Sequence, residues 1–200
     1  MRTSLTILAA VIALQACGGA GDSAGDSATG DRAAGDTTPA ATGTARPDTT
    51  PTGGATAPIR SATGRELGML TLADSAQSGI RVTGRLTGLP PGEHGIHIHM
   101  VGQCQPPFES AGAHWNPTSR QHGTQNPQGP HLGDMLNITV GADSSVNVSL
   151  TTTGGSLRAT NGLMDTDGAS VVVHARADDY RTDPSGNSGD RVACGVVTGR

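Results

Sequence analysis

Gly95-Ile96-His97-Ile98-His99-Met100 alternates residue by residue, and that period of two decides the fold. Side chains two apart on an extended strand project from one face, so His97 and His99 point together. Ile96 and Ile98 point the opposite way. Short runs of the same kind lie on either side: Leu67–Leu72, Ile80–Leu86, Met135–Val140, Val146–Leu150, Ser170–Ala175 and Ala193–Thr198. They are β-branched or alternating. Turn chemistry separates them at Gln77-Ser78-Gly79, Pro90-Pro91-Gly92, Gly141-Ala142-Asp143 and Asp167-Gly168. No stretch of ten or more residues carries a helical period. The expected class is all-β, a sandwich or a barrel.

Two segments break this rhythm. Gln103 to Gly133 and Asp178 to Arg191 are rich in Gly, Pro, Asn, Ser and Asp. Loops of that length inside a small domain are usually functional. The first holds three of the seven histidines.

The chain of 200 residues starts with material that is not domain. Met1-Arg2 precedes an apolar run from Leu5 to Leu14, a secretion signal too short to cross a membrane. Its ending, Leu14-Gln15-Ala16-Cys17, resembles a bacterial lipobox, which implies cleavage before Cys17 and lipid on that cysteine. Residues 18–58 are Gly, Ala, Asp, Thr, Ser and Pro, with almost no larger aliphatic side chain. Such a segment buries too little apolar surface to offset its ordering entropy. It reads as a disordered tether spanning roughly 35 Å root-mean-square. One domain is expected over residues 59–200.

That domain holds ten arginines, no lysine and twelve acids, a net charge of −2. Nothing in this balance points to nucleic acid. Phe108, Trp115 and Tyr180 are the chain's only aromatics, so the core must come from Val, Ile, Leu and Ala. Of three cysteines, lipidation accounts for Cys17 and leaves Cys104 with Cys194. An oxidising compartment favours a disulfide there over two free buried thiols.

Six histidines then fall into order: His97, His99, His114, His122, His131 and His174, with Asp134 three residues after His131. Histidine is the commonest ligand for borderline transition metals, and a carboxylate completes many such sites. His114, His122, His131 and Asp134 alone make a closed four-coordinate set suited to structural Zn²⁺.

Several motifs resemble copper,zinc superoxide dismutase. They are Gly95-Ile96-His97-Ile98-His99, Gly112-Ala113-His114-Trp115-Asn116-Pro117, His122-Gly123, Gly129-Pro130-His131-Leu132-Gly133-Asp134, Val172-Val173-His174 and Gly189-Asp190-Arg191-Val192-Ala193-Cys194-Gly195. The resemblance runs from about Leu67 to the C-terminus, and the bacterial exported type fits best. It implies an eight-stranded Greek-key (immunoglobulin-like) barrel with two long functional loops. It implies one copper per subunit on His97, His99, His114 and His174, and one zinc on His114, His122, His131 and Asp134. His114 would then bridge the metals as an imidazolate and exchange a proton as copper alternates between Cu(II) and Cu(I). The products are dioxygen and hydrogen peroxide.

The resemblance also implies that Asp178 links His97 to His122 and that Arg191 attracts the anionic substrate. Second-loop lysines familiar from eukaryotic forms are missing, which leaves steering to Arg191 and the metals. His94 precedes the paired ligands with the wrong parity to share their face and is expected to be structural. Trp115 is expected to pack a loop. The implied protein is lipid-anchored at a bacterial cell envelope, in the periplasm or at the cell surface. It touches membrane through its lipid alone, and a homodimer is among the assemblies open to it. The rival readings are a metal-buffering lipoprotein and a zinc-stabilised adhesion module. Neither needs both His174 and Arg191.

Overall fold

Pairing, more than side-chain size, makes the first strand. In the computed structural model, which describes residues 53–199, Ala55–Ser61 forms β1 with Ala55, Ala57 and Ile59 buried. It starts four residues ahead of Ile59, where the composition places the start of the domain. Residues 18–52 of the segment assigned to the tether, and the leader with Cys17, lie outside the described residues. Pro58 has no N–H to donate. It is tolerated because it falls between the two stretches where β1 meets its C-terminal neighbours, at Ala55–Thr56 and at Arg60–Ser61.

The remaining strands are β2 Glu66–Asp74, β3 Ile80–Thr87, β4 Gly92–His94, β5 Ile96–His99, β6 Ile138–Val140, β7 Ser145–Thr151, β8 Ser170–His174, β9 Arg191–Val196 and β10 Thr198–Gly199. Single residues, Gly95 and Val197, separate β4 from β5 and β9 from β10. The ten segments are therefore eight runs of chain. All ladders are antiparallel, in the order β5-β8-β9-β1-β2-β3-β7, with β10 beside β1 and β4 beside β6. A turn in which Gly141 N–H donates to the Ser145 carbonyl joins β6 to β7. The run through β4 and β5 then carries the ring back to β8. The result is a Greek-key barrel, as the resemblance implies.

Leu70, Leu72, Ile80, Val82, Leu86, Ile96, Ile98, Val171 and Val173 fill the interior, all fully buried. Each such side chain stabilises by about 1.5–3 kcal/mol. β8 is buried on both faces. Val173 faces the interior, while Val172 joins Phe108, Ala111 and Cys194 in a second cluster outside the barrel. The cluster sits under the first loop, which the Cys104–Cys194 disulfide ties to β9 across 90 residues of sequence, Cα to Cα 5.6 Å.

Two stretches differ from the sequence reading. Met135–Asn137 is not strand. Asn137 instead donates its backbone N–H to the Tyr180 hydroxyl at 2.9 Å, and its side chain pairs with the Asp178 backbone in both directions. Residues 152–169 form a third irregular connection. It contributes buried Leu157 and Leu163 to the core. No helix among the described residues is long and apolar enough to cross a membrane.

Candidate metal centre

The loops reach the strands through a short stack of backbone hydrogen bonds. Met100 N–H donates to the Ala113 carbonyl, Trp115 N–H to Ile98, Ile98 N–H to Gly133 and Gly133 N–H to Trp115. His99 therefore faces His114 as an isolated antiparallel bridge, and His97 faces Asp134 in the same way. Gly133 is required at this crossing, because a Cβ would stand 2.2 Å from the Ile98 carbonyl oxygen. Strand register alone thus carries two loop residues to the paired histidines of β5.

Three sets of potential ligands result, each with its donor atoms within 4.8 Å of one another: His97, His99, His114 and His174; His114, His122, His131 and Asp134; His97, His122 and Asp178. Every sequence-derived ligand is buried, and His114 belongs to two sets. Its ring lies 4.1 Å from that of His97 and 4.9 Å from that of His99, centroid to centroid.

Hydrogen bonds fix which nitrogen of each ring is spoken for. His97 Nε2 pairs with Asp178 Oδ2 at 2.7 Å, and His122 Nε2 with Asp178 Oδ1 at 3.0 Å. His99 Nδ1 donates to the Gly112 carbonyl at 2.9 Å and His174 Nδ1 to the Gly189 carbonyl at 3.1 Å. What remains is His97 Nδ1, His99 Nε2, His114 Nε2, His122 Nδ1 and His174 Nε2, all buried and without a well-aligned hydrogen bond. Orphaned buried nitrogens are rare because each forfeits its hydration. Four of the five converge in the first set, which therefore fits a metal taking neutral imidazoles.

The second set is organised around one carboxylate oxygen. Asp134 Oδ1 lies 2.8 Å from His114 Nδ1, 3.0 Å from His122 Nδ1 and 3.3 Å from His131 Nδ1. Asp134 Oδ2 is occupied elsewhere, accepting the N–H groups of Gly123 and His131 at 2.9 and 3.0 Å. One oxygen and three nitrogens are left facing one point. A tetrahedral ion suits that arrangement. His114 has one ring nitrogen in each set.

Charge follows the same division. Burial holds His97 down to about 3 and His174 to about 4, and also lowers His99 and His114; their mutual repulsion adds to it. Burial also opposes charge on His122, but the Asp134 and Asp178 carboxylates, which accept from its ring, outweigh it and raise that ring to about 9. Those bonds hold both carboxyls far below the usual carboxylate range despite burial. The first set is a cluster of neutral donors. The second is acidic enough to bind a dication.

Arg191, half-buried, donates from Nη1 to the Phe108 carbonyl at 2.7 Å and from Nη2 to the Gly112 carbonyl at 2.8 Å. Phe108 takes a left-handed conformation, φ 79°, to present that oxygen. His94 is buried and makes only structural contacts. Its ring lies 2.7 Å from the His174 carbonyl and 2.9 Å from that of Pro90. Trp115 packs a loop as expected, its ring against Gly155, where a Cβ would meet Cη2 at 2.2 Å. Nothing in the local sequence marks Tyr180 as a site residue. Its carbonyl accepts the Gln125 N–H, its hydroxyl takes the Asn137 N–H, and so it clamps the second loop to the first. Its being the only tyrosine was the one available signal.

The profile of the family described as copper/zinc superoxide dismutase (SODC) matches residues 67–197. Among individual relatives, a superoxide dismutase-like protein of Bacillus subtilis, YojM, is 41% identical over 140 residues, 68% of this chain and 71% of that one. A copper–zinc superoxide dismutase of Caulobacter vibrioides is 40% identical over 148 residues, 72% of this chain and 84% of that one. Among solved structures, a double mutant of a SOD-like protein from Bacillus subtilis, carrying two introduced histidines, superposes with a TM-score of 0.68. It is 39% identical, covering 70% of this chain and 95% of that one.

Proposed function

The chain belongs to the copper/zinc superoxide dismutase family and dismutates superoxide with copper and zinc, and from that premise we propose which residues do what. His97, His99, His114 and His174 hold copper, and His114, His122, His131 and Asp134 hold zinc. The observation that carries this division is the pattern of orphaned nitrogens. Those of the first set converge from four imidazoles with no carboxylate among them, a donor set that suits copper. The Nδ1 atoms of His114, His122 and His131 in the second set gather instead on one carboxylate oxygen. Copper, when bound, supplies the alternating one-electron chemistry.

His114 carries the proton. Its Nδ1 is committed to the Asp134 side and its Nε2 faces His97, His99 and His174. With both nitrogens engaged the ring would carry no proton, and with Nε2 free it would take one there and hand it on to the reduced product. Arg191 keeps a full positive charge at every relevant pH. Two carbonyls hold it beside the His99 side of the site, where it attracts the superoxide anion. Asp178 fixes the tautomers of His97 and His122 together.

Export and lipid anchoring at Cys17 complete the reading. An intramolecular disulfide fits an oxidising compartment, and the lipobox-like Leu14–Cys17 supplies the anchor. The test is the full chain loaded with copper and zinc, with metal content and superoxide consumption measured together. One copper and one zinc per chain with dismutation is expected. Stoichiometric copper with no turnover above free metal would overturn the assignment. Cys17→Ser is expected to move the protein from the membrane fraction to the soluble one.

A further inference from the structure

His131 differs from the other candidate ligands in what its outer nitrogen meets. The outer nitrogens of His97 and His122 pair with Asp178, that of His99 with Gly112 and that of His174 with Gly189. His131 Nδ1 faces Asp134, so Nε2 is its outer atom, and it makes no hydrogen bond among the described residues. The acidic oxygen facing it is Asp183 Oδ1, at 3.8 Å. The same oxygen accepts the backbone N–H of His122 at 2.6 Å. One exposed carboxylate from the second loop therefore touches two zinc-set histidines of the first.

We propose that Asp183 is a positioning residue for zinc, taking the Nε2–H of His131 while it holds the backbone of His122. The proposal rests on the reading of His114, His122, His131 and Asp134 as the zinc ligands. A neutral imidazole that binds a metal through Nδ1 must carry its proton on Nε2. Metal-bound histidines almost always donate that proton to a carboxylate or carbonyl, which fixes the ring and raises its basicity. Closing the gap from 3.8 Å to hydrogen-bond distance needs a small shift of an exposed side chain.

The second loop is built to deliver this carboxylate. Asp179 Oδ1 accepts the N–H groups of Arg181 and Thr182, and Gly186 N–H donates to the Thr182 carbonyl at 2.6 Å. These bonds form a tight turn with Asp183 at its head. Asp178, at the start of the same loop, grips His97 and His122 from the other side. Together the two acids make zinc binding depend on the second loop, which supplies no zinc ligand itself.

The full chain, wild type and as Asp183→Ala, Asp183→Asn and Asp183→Glu, would be titrated with zinc against a chromophoric chelator. Asp183→Ala is expected to weaken zinc by about 10–100-fold, with Asp183→Glu recovering part of the loss. Asp183→Asn keeps an acceptor for the His122 N–H, so it isolates His131 should the alanine variant fold poorly. In ¹⁵N-imidazole NMR of the zinc-loaded wild type, the His131 Nε2 proton should be protected from exchange. That protection should vanish in Asp183→Asn. Zinc affinity within about threefold of wild type in both the alanine and asparagine variants, or an unchanged His131 signal, would overturn the role of Asp183. Wild-type zinc affinity unchanged by His122→Ala would instead remove the zinc assignment, and the proposal with it.

Discussion

Arg191 and His99 hang from one atom. The Gly112 carbonyl oxygen accepts Nη2 of the arginine at 2.8 Å and Nδ1 of the histidine at 2.9 Å. The cation proposed to steer substrate is thus indexed to a proposed copper ligand, and both depend on where the first loop holds one peptide group. Arg191→Ala should lower kcat/KM by about tenfold or more and flatten its dependence on ionic strength, since steering is screened by salt. Arg191→Lys restores charge but cannot fork onto two carbonyls. It should fall between the two. Pulse radiolysis across a salt series reads both effects, and an unchanged salt slope in Arg191→Ala would remove the steering role.

Asp178 spends its two oxygens on His97 and His122, one ligand from each metal set. Asp178→Asn offers a single acceptor and turns an amide N–H₂ toward an imidazole N–H. Copper and zinc affinities should therefore both fall, by about 10–100-fold. Metal content after dialysis against a chelator measures this. Loss of zinc with copper fully retained would show that the carboxylate serves one site alone.

The site was more legible than the scaffold around it, for a physical reason. Metal ligands are specified by residue type and spacing, and His97, His99, His114, His122, His131, Asp134 and His174 carry their chemistry in their identity. β1 carries its signal in pairing: Ala55, Ala57 and Pro58 have little strand propensity, and composition places them with Thr56 in the tether. The alternation of Ala55, Ala57 and Ile59 was present but written in small side chains. Met135–Asn137 failed in the opposite sense. Its residues suit a strand, yet Asn137 is drawn off by Asp178 and Tyr180 from more than 40 positions away. Contacts of that range leave no mark on local periodicity.

Acid should destabilise the metal-free protein before any carboxylate titrates. An unfolded chain binds protons on its imidazoles as pH falls through about 6.5. The folded chain keeps His174 neutral to about 4 and His97 to about 3, through burial first and neighbouring rings second. The unfolded state then holds more protons across that window, so stability drops as pH falls from about 6.5 toward 4. His122, raised to about 9 by Asp134 and Asp178 against the pull of burial, works the other way. Its contribution is complete below about 6.5 and fades as pH rises through 9. Urea midpoints of the metal-free chain should fall between pH 7 and pH 4.5, and a flat profile would mean that these rings are not buried as described.

Reduction of Cys104–Cys194 should have two separable consequences. Closing a loop of 90 residues restricts the unfolded chain by about 4–5 kcal/mol in the chain-entropy model, so Cys194→Ser should lose stability of that order. The bond also pins the loop carrying Phe108 and Gly112, whose carbonyls hold Arg191. Under conditions where the variant remains folded and metal-loaded, turnover should still fall and its salt dependence should weaken, as in Arg191→Ala. Denaturation with and without reductant gives the first effect, and superoxide consumption at two ionic strengths gives the second. A variant less stable yet fully active, with a wild-type salt slope, would show that the Phe108 cluster holds Arg191 in place without the disulfide.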